Sequence, residues 1–153
     1  LSNSNIPMTW KLLKQYHMNP PNVVFPRNKE VFQSYIDHKN KLKAENINIT
    51  DYITKQLFTK ENSYKLYSLI DNKFPYLLEP EIMHKLLWFN PKITNTKHFP
   101  DNLNNVPEFI NDCLINHTKN IYDLYDIIYF ENIVECRSVP GIRHIQLFLK
   151  SKN

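Results

Sequence analysis

Glu135-Cys136-Arg137-Ser138-Val139-Pro140-Gly141-Ile142-Arg143-His144, running on as Ile145-Gln146-Leu147-Phe148-Leu149-Lys150, is the stretch from which the fold is read. Gly141 is the only glycine in 153 residues. A chain that spends its one glycine here is expected to need φ > 0 at that point. Pro140-Gly141 fits the two central positions of a type II turn. Beyond it, Ile145, Leu147 and Leu149 alternate with His144, Gln146 and Phe148, the period of a half-buried strand. The turn is therefore expected to close a C-terminal hairpin, with Val139 facing Ile142, Ser138 facing Arg143 and Arg137 facing His144. Opposed residues in such a pair have Cβ atoms about 4.5–5.5 Å apart. A longer loop would shift this pairing, because type II turns suit two-residue hairpins poorly.

Working back along the chain, helical signals dominate. Residues 29–45 carry Val31, Phe32, Tyr35, Ile36 and Leu42 on one stripe and Lys29, Asp37, Lys41 and Lys43 on the other, which predicts an amphipathic helix. Asn48-Ile49-Thr50-Asp51 caps a second, over Tyr52 to Phe58. A third is expected over Glu61 to Ile70. Glu79-Pro80-Glu81, with proline and acids in a first turn, predicts a fourth helix to about Phe89. Residues 90–106 read as a polar loop, and Pro107 to His117 as a fifth helix. Asn120 to Phe130 fits either helix or strand. Residues 1–24, broken by Pro7, Pro20 and Pro21, read as an irregular segment holding one short helix near Trp10. Residues 25–150 read as a single globular domain. The fold class that follows is α+β: about five helices packed on a small antiparallel sheet with a C-terminal hairpin.

Composition narrows the function. Hydrophobic residues make up 42% and aromatics 13%, enough for a core in a chain of this length. Nineteen Lys and Arg against fifteen Asp and Glu leave a net charge of +4, compatible with an anionic ligand without demanding one. The basic residues at 27–43 admit a nucleic-acid groove, but Glu30, Asp37 and Glu45 among them favour a solvated helix face. Cys113 and Cys136 have neither disulfide-scaffold nor zinc-ribbon spacing and read as free thiols. No apolar run is long enough to span a bilayer. The polar opening Leu1-Ser-Asn-Ser-Asn-Ile-Pro7 has no signal-peptide core, so a cytoplasmic location is expected. One glycine excludes phosphate loops, dinucleotide-binding loops and nucleophile elbows.

Two constellations carry chemistry. The hairpin would display Arg137, His144 and Gln146 together: a planar, permanently charged anion donor beside an imidazole able to move protons. The alternative is a structural turn in which Arg137 pairs with Glu135 or Asp126. His84 and Trp88, at i and i+4 on the predicted fourth helix, would share a face, a base or phosphate donor beside a stacking surface; the alternative is a packed structural pair. A metal set from His84, His98, His144 and Glu135 would have to be assembled by the fold, and no metal or cofactor is expected.

These residues also resemble a known family. The pattern Asn132-x-x-x-x-Arg137-Ser138-Val139-Pro140-x-Ile142-x-His144-x-Gln146-x-Phe148 is similar to the C-terminal signature of a domain family of unknown function. That family is common in fungi, is also found in large DNA viruses, and includes an N-acetylglucosamine-induced protein. Phe74-Pro75-Tyr76 with Ile82-x-His84-x-x-x-Trp88 resembles its central motif. Arg27 with the Tyr35 helix, and Asp51-Tyr52-Ile53, resemble its N-terminal part. Gln146 stands where the family often has a second His. The resemblance implies no established activity but selects His84, Trp88, Asn132, Arg137, Ser138 and His144.

The expected function is a cytosolic site for a phosphate-bearing small molecule, a nucleotide or nucleotide sugar, in a hydrolase or transferase. His84 and His144 are the expected catalytic pair. Trp88, Asn132, Arg137, Ser138 and Gln146 are the expected ligand-binding set. The rival is a non-catalytic module binding a protein or nucleic acid.

Overall fold

The computed structural model of the protein describes residues 5–153. The first four residues of the polar N-terminal segment lie outside them. Four strands, β1 (Tyr67–Asp71), β2 (Ile82–Phe89), β3 (Tyr125–Phe130) and β4 (His144–Ser151), form one antiparallel sheet in the spatial order β1-β2-β4-β3. The described helices are α1 (Trp10–Lys14), α2 (Lys29–Ala44), α3 (Ile49–Leu57), α4 (Pro91–Thr94), α5 (Pro107–His117) and α6 (Ile121–Leu124). The α+β class, with helices on a small antiparallel sheet that includes a C-terminal strand pair, is the fold of this chain. Among the described residues no helix is long and apolar enough to cross a membrane.

The longer helices follow from local chemistry. Asn28 caps α2, its side-chain oxygen accepting the Val31 N–H at 2.7 Å, and Asn48 caps α3 by accepting the Asp51 N–H at 3.2 Å. Asn46, at φ 56°, ends α2 in a left-handed turn in which the Ile47 N–H donates to the Leu42 carbonyl at 2.8 Å. Proline opens α5.

Strand register sorts side chains onto two faces. Trp88 lies opposite His144, Leu86 opposite Gln146 and His84 opposite Phe148; Phe148 also faces Ile128 and Gln146 faces Phe130. These residues share one face. Leu87, Phe89, Ile145, Leu147, Leu149 and Tyr129 point to the other, where Ile110, Cys113 and Leu114 of α5 close a core. The first face is covered at its two ends by different segments. Met8, Trp10, Leu13, Phe25 and Tyr76 pack on Ile82, Phe130 and Phe148. Ile49, Ile53 and Leu57 of α3, with Phe58, Val139 and Ile142, pack on Leu86 and Trp88. Residues 8–13 thus pack into the domain, and the Met8 N–H donates to the Leu77 carbonyl at 2.9 Å.

Several local expectations are corrected. The predicted fourth helix is strand β2, and the predicted third is a single 3-10 turn (Lys60–Asn62) followed by strand β1. β2 alternates buried and more exposed residues only from Ile82 to Lys85 and is buried on both faces from Leu86 to Phe89, so it lacks a strand's alternation over its second half. Asn120 to Phe130 is both things in succession, α6 then β3. Pro140-Gly141 does form a turn, with the Ile142 N–H donating to the Val139 carbonyl at 3.3 Å, but β4 pairs with β2 and β3 rather than with residues 135–139. Nor does Gly141 have positive φ; Met18 and Asn46 do. The glycine is needed for close approach instead. A Cβ at position 141 would meet the Thr50 side chain, with Cγ2 only 3.0 Å and Cβ 3.2 Å away. The chain's one glycine lets this loop press against the first turn of α3.

Candidate functional site

Between the two ends of the covered sheet face lies a cavity of about 1100 Å3. Its floor is the β2–β4 pair, with Leu86, Trp88, His144 and Gln146; α2 and α3 form the opposite wall. Tyr76, Asn132 and Arg137 line one side.

His84 is buried and both ring nitrogens are engaged. The Tyr76 backbone N–H donates to Nδ1 at 3.1 Å, so Nδ1 carries the lone pair. Nε2 therefore bears the hydrogen and donates to Gln146 Oε1 at 2.7 Å. Protonating Nδ1 would set two N–H groups against each other. Burial first, and Arg27 second, push the His84 pKa down to about 3, against the opposing pull of the Gln146 hydrogen bond. The imidazole is a fixed neutral strut. It aims Gln146, whose oxygen is occupied and whose amide N–H groups remain for the cavity.

His144 is arranged the other way. A carbonyl only accepts, so the 2.9 Å contact between Nδ1 and the Ile142 carbonyl puts the hydrogen on Nδ1. Nε2 then holds a lone pair with no protein partner among the described residues. Trp88 packs against the ring, tilted by 31° with centroids 4.4 Å apart. Burial lowers the His144 pKa, and Arg137 contributes in the same direction, so the ring is neutral near pH 7. A backbone-oriented neutral imidazole with a free nitrogen is the arrangement of a general base. The indole N–H of Trp88 is the one fully buried side-chain polar atom among the described residues that lacks a partner. An unmet buried donor costs about 1–3 kcal/mol and invites an acceptor.

The cations stand around this floor. Arg137 Nε donates to the Asn132 carbonyl at 2.8 Å. Its Nη2 lies 3.5 Å from Glu131 Oε1, but Arg143 holds that carboxylate more closely, at 2.6 and 3.0 Å. The partner of Arg137 is therefore Glu131, not Glu135 or Asp126. Asn132 is buried, and its side-chain amide donates to the Tyr76 hydroxyl at 3.4 Å. Ser138 is exposed at the cavity margin.

His144, Gln146, Trp88, Asn132, Arg137 and Ser138 thus all line one cavity, while His84 stands behind Gln146. His84 and Trp88 do share a face, but on a strand. Four residues at about 3.3 Å each separate them by roughly 13 Å, so they do not act as one pair. Among the described residues no three His, Cys, Asp or Glu side chains come together as a metal-ligand set, so the His84, His98, His144 and Glu135 grouping is not assembled. Both cysteines are free.

Sequence reading passed over Arg27 as a site residue. Its guanidinium lies over the rings of Tyr35 (4.6 Å) and Tyr76 (5.2 Å), and its Nε donates to the Phe74 carbonyl at 2.7 Å. The Arg27 and Tyr35 motif was the available signal; only the fold places both against Tyr76.

Sheet, helical cover and cavity define a small α+β domain with an aromatic-walled, cation-rimmed hollow on one sheet face. The chain belongs to the family described as protein of unknown function (DUF3605), whose pattern matches residues 9–150. It is similar to N-acetylglucosamine-induced protein 1 of Candida albicans, with 23% identity over 184 aligned positions covering 94% of this chain and 68% of that protein. Its fold is similar to the crystal structure of HTC1, with a TM-score of 0.61 at 19% identity, covering 93% of this chain and 84% of the other. At that identity the likeness concerns the fold alone.

Proposed function

We propose that the cavity binds a phosphate-bearing small molecule, a nucleotide or nucleotide sugar, and that the protein is a cytosolic hydrolase or transferase acting on it. The observation that carries this reading is the charge and polarity of the lining. Five Lys and Arg residues (Arg27, Lys39, Lys43, Lys73 and Arg137) face two carboxylates, Asp71 and Glu135. Asp71 is itself bound by Lys85 at 2.7 Å. The Gln146 amide, the Trp88 indole and the two arginines offer donors and need acceptors. A volume near 1100 Å3 suits a ligand of nucleotide-sugar size. The Candida relative is named for induction by N-acetylglucosamine, which accords with a sugar-bearing ligand and says nothing of a substrate.

In this reading Arg137 holds the anion. Gln146 binds polar atoms of the ligand over the Trp88 ring, and Asn132 and Ser138 orient it. His144 Nε2 takes the proton of the attacking hydroxyl or water. His84 keeps Gln146 in place and exchanges no proton near pH 7.

A thermal-shift screen with nucleotides, nucleotide sugars and sugar phosphates tests this. A ligand at about 100 times its Kd adds about 2.7 kcal/mol. For a domain of this size that raises the melting temperature by roughly 5–10 °C. The shift should vanish in Arg137→Ala and persist in His144→Ala, which removes turnover rather than binding. No shift with any member of the panel would refute the reading in favour of a non-catalytic interaction module.

A further inference from the structure

Arg27 and Arg137 are built alike. Each spends its Nε on a main-chain carbonyl, Phe74 for Arg27 (2.7 Å) and Asn132 for Arg137 (2.8 Å). A neutral carbonyl fixes the plane of a guanidinium without cancelling its charge. Neither charge is well compensated elsewhere. Among the described residues Arg27 makes no ion pair, and the carboxylate nearest Arg137 is held more tightly by Arg143.

The two guanidinium groups also flank the same structure. Arg27 lies over the Tyr76 ring, the Tyr76 hydroxyl accepts from the Asn132 side chain, and the Asn132 carbonyl anchors Arg137. One buried tyrosine and one buried asparagine stand between two like charges in a single cavity. A single phosphate satisfies one such planar fork through two parallel hydrogen bonds. It leaves the other unmet. A longer anion engages both.

We propose that the ligand carries a chain of two or more phosphoryl groups held between Arg27 and Arg137. The inference rests on the phosphate-binding reading above and narrows it to diphosphates and longer, which excludes sugar monophosphates and nucleoside monophosphates as preferred ligands. It also gives the Tyr35 contact a purpose. Tyr35 belongs to α2, so the Arg27 guanidinium is held between that helix and Tyr76.

Calorimetric titration of the full chain with inorganic phosphate, pyrophosphate and tripolyphosphate tests this without any contribution from a base or sugar. The better of the two longer anions should bind at least about tenfold more tightly than phosphate, the worth of a second charge-assisted fork. Arg27→Ala and Arg137→Ala should each abolish that gain. Arg27→Lys keeps the charge over the tyrosine rings but not the fork. It loses the bond to the Phe74 carbonyl, so its melting temperature should fall by a few degrees at most, and it should still bind phosphate but lose most of the gain, which separates recognition from a folding defect. Equal affinity for all three anions, or a gain that survives either arginine replacement, would overturn the inference while leaving a phosphate site standing. Failure of every anion and every nucleotide to bind would overturn both.

Discussion

Taking the protein from pH 7 to pH 5 should cost the fold about 2 kcal/mol through His84 alone. Tyr76 N–H and Gln146 fix this ring in its neutral form, and burial pushes its pKa down to about 3. In the unfolded chain the same ring titrates near 6.5. Between these values the unfolded state binds a proton that the folded state refuses. Stability is therefore full above about pH 6.5 and is lost progressively as the pH falls toward 3. Each pH unit in that window is worth about 1.4 kcal/mol, and pH 5 lies about one and a half units below 6.5, which gives about 2 kcal/mol. For this chain length that corresponds to a fall of roughly 4–8 °C in melting temperature. His144 is also buried and shifted downward, so it adds to the loss in wild type. The His84→Gln variant isolates the effect. Glutamine can accept from Tyr76 N–H and does not titrate, so it should be less stable at pH 7 but lose about 2 kcal/mol less on going to pH 5. Urea unfolding followed by circular dichroism at the two pH values measures both. Identical losses in the two proteins would refute the claim that His84 is held neutral.

Gly141→Ala should destabilise the fold by about 1–3 kcal/mol in chemical unfolding, because the new methyl group meets Thr50 and α3 must move or the turn must deform. A change within a few tenths of a kcal/mol would show that this contact yields easily. Arg143→Ala leaves the buried Glu131 carboxylate only the longer Arg137 contact and should cost about 3–5 kcal/mol, whereas Arg137→Ala leaves Glu131 held by Arg143, loses the bond to the Asn132 carbonyl and should cost about 1–3 kcal/mol. Equal losses would mean that Arg137, too, is a structural arginine. Once a substrate is identified, His144→Gln should lower kcat by about 100-fold or more with little change in affinity; loss of affinity alone would make His144 a binding residue.

The sequence carried the parts of this fold that local chemistry decides. Asn48 and Pro107 announce α3 and α5 because caps and prolines act within one turn, and the apolar stripe of Val31, Phe32, Tyr35, Ile36 and Leu42 announces α2. Ile145, Leu147 and Leu149 announce β4 because its polar face alternates visibly. β2 was hidden because its second half, Leu86 to Phe89, is an unbroken apolar run buried on both faces. The signal that suggested a helix there, Glu79-Pro80-Glu81, serves a distant partner. Glu79 Oε1 accepts the Trp10 N–H at 3.2 Å, capping α1 across the fold. Reading β2 as a helix misplaced the relation of His84 to Trp88 but not their common face, since four residues return to the same side in either geometry. Gly141 was singled out for backbone freedom, whereas its role is clearance for Thr50, which no local pattern could disclose. The candidate residues of the C-terminal motif do meet in one cavity. Arg27 joins them only because Pro26 to Tyr35 crosses over Tyr76, a contact between segments about fifty residues apart.

The central claim, a ligand site on the β2–β4 floor, is tested most directly through the two tryptophans. An 15N-labelled sample should show two indole N–H signals, one from Trp88 in the cavity floor and one from Trp10 in the separate N-terminal cluster. Titration with a nucleoside diphosphate or nucleotide sugar should move the Trp88 signal, as its unpartnered N–H gains an acceptor or the ring beside it is covered, and leave Trp10 in place. Binding that leaves the Trp88 signal unmoved, or a panel in which neither signal moves, would contradict the site.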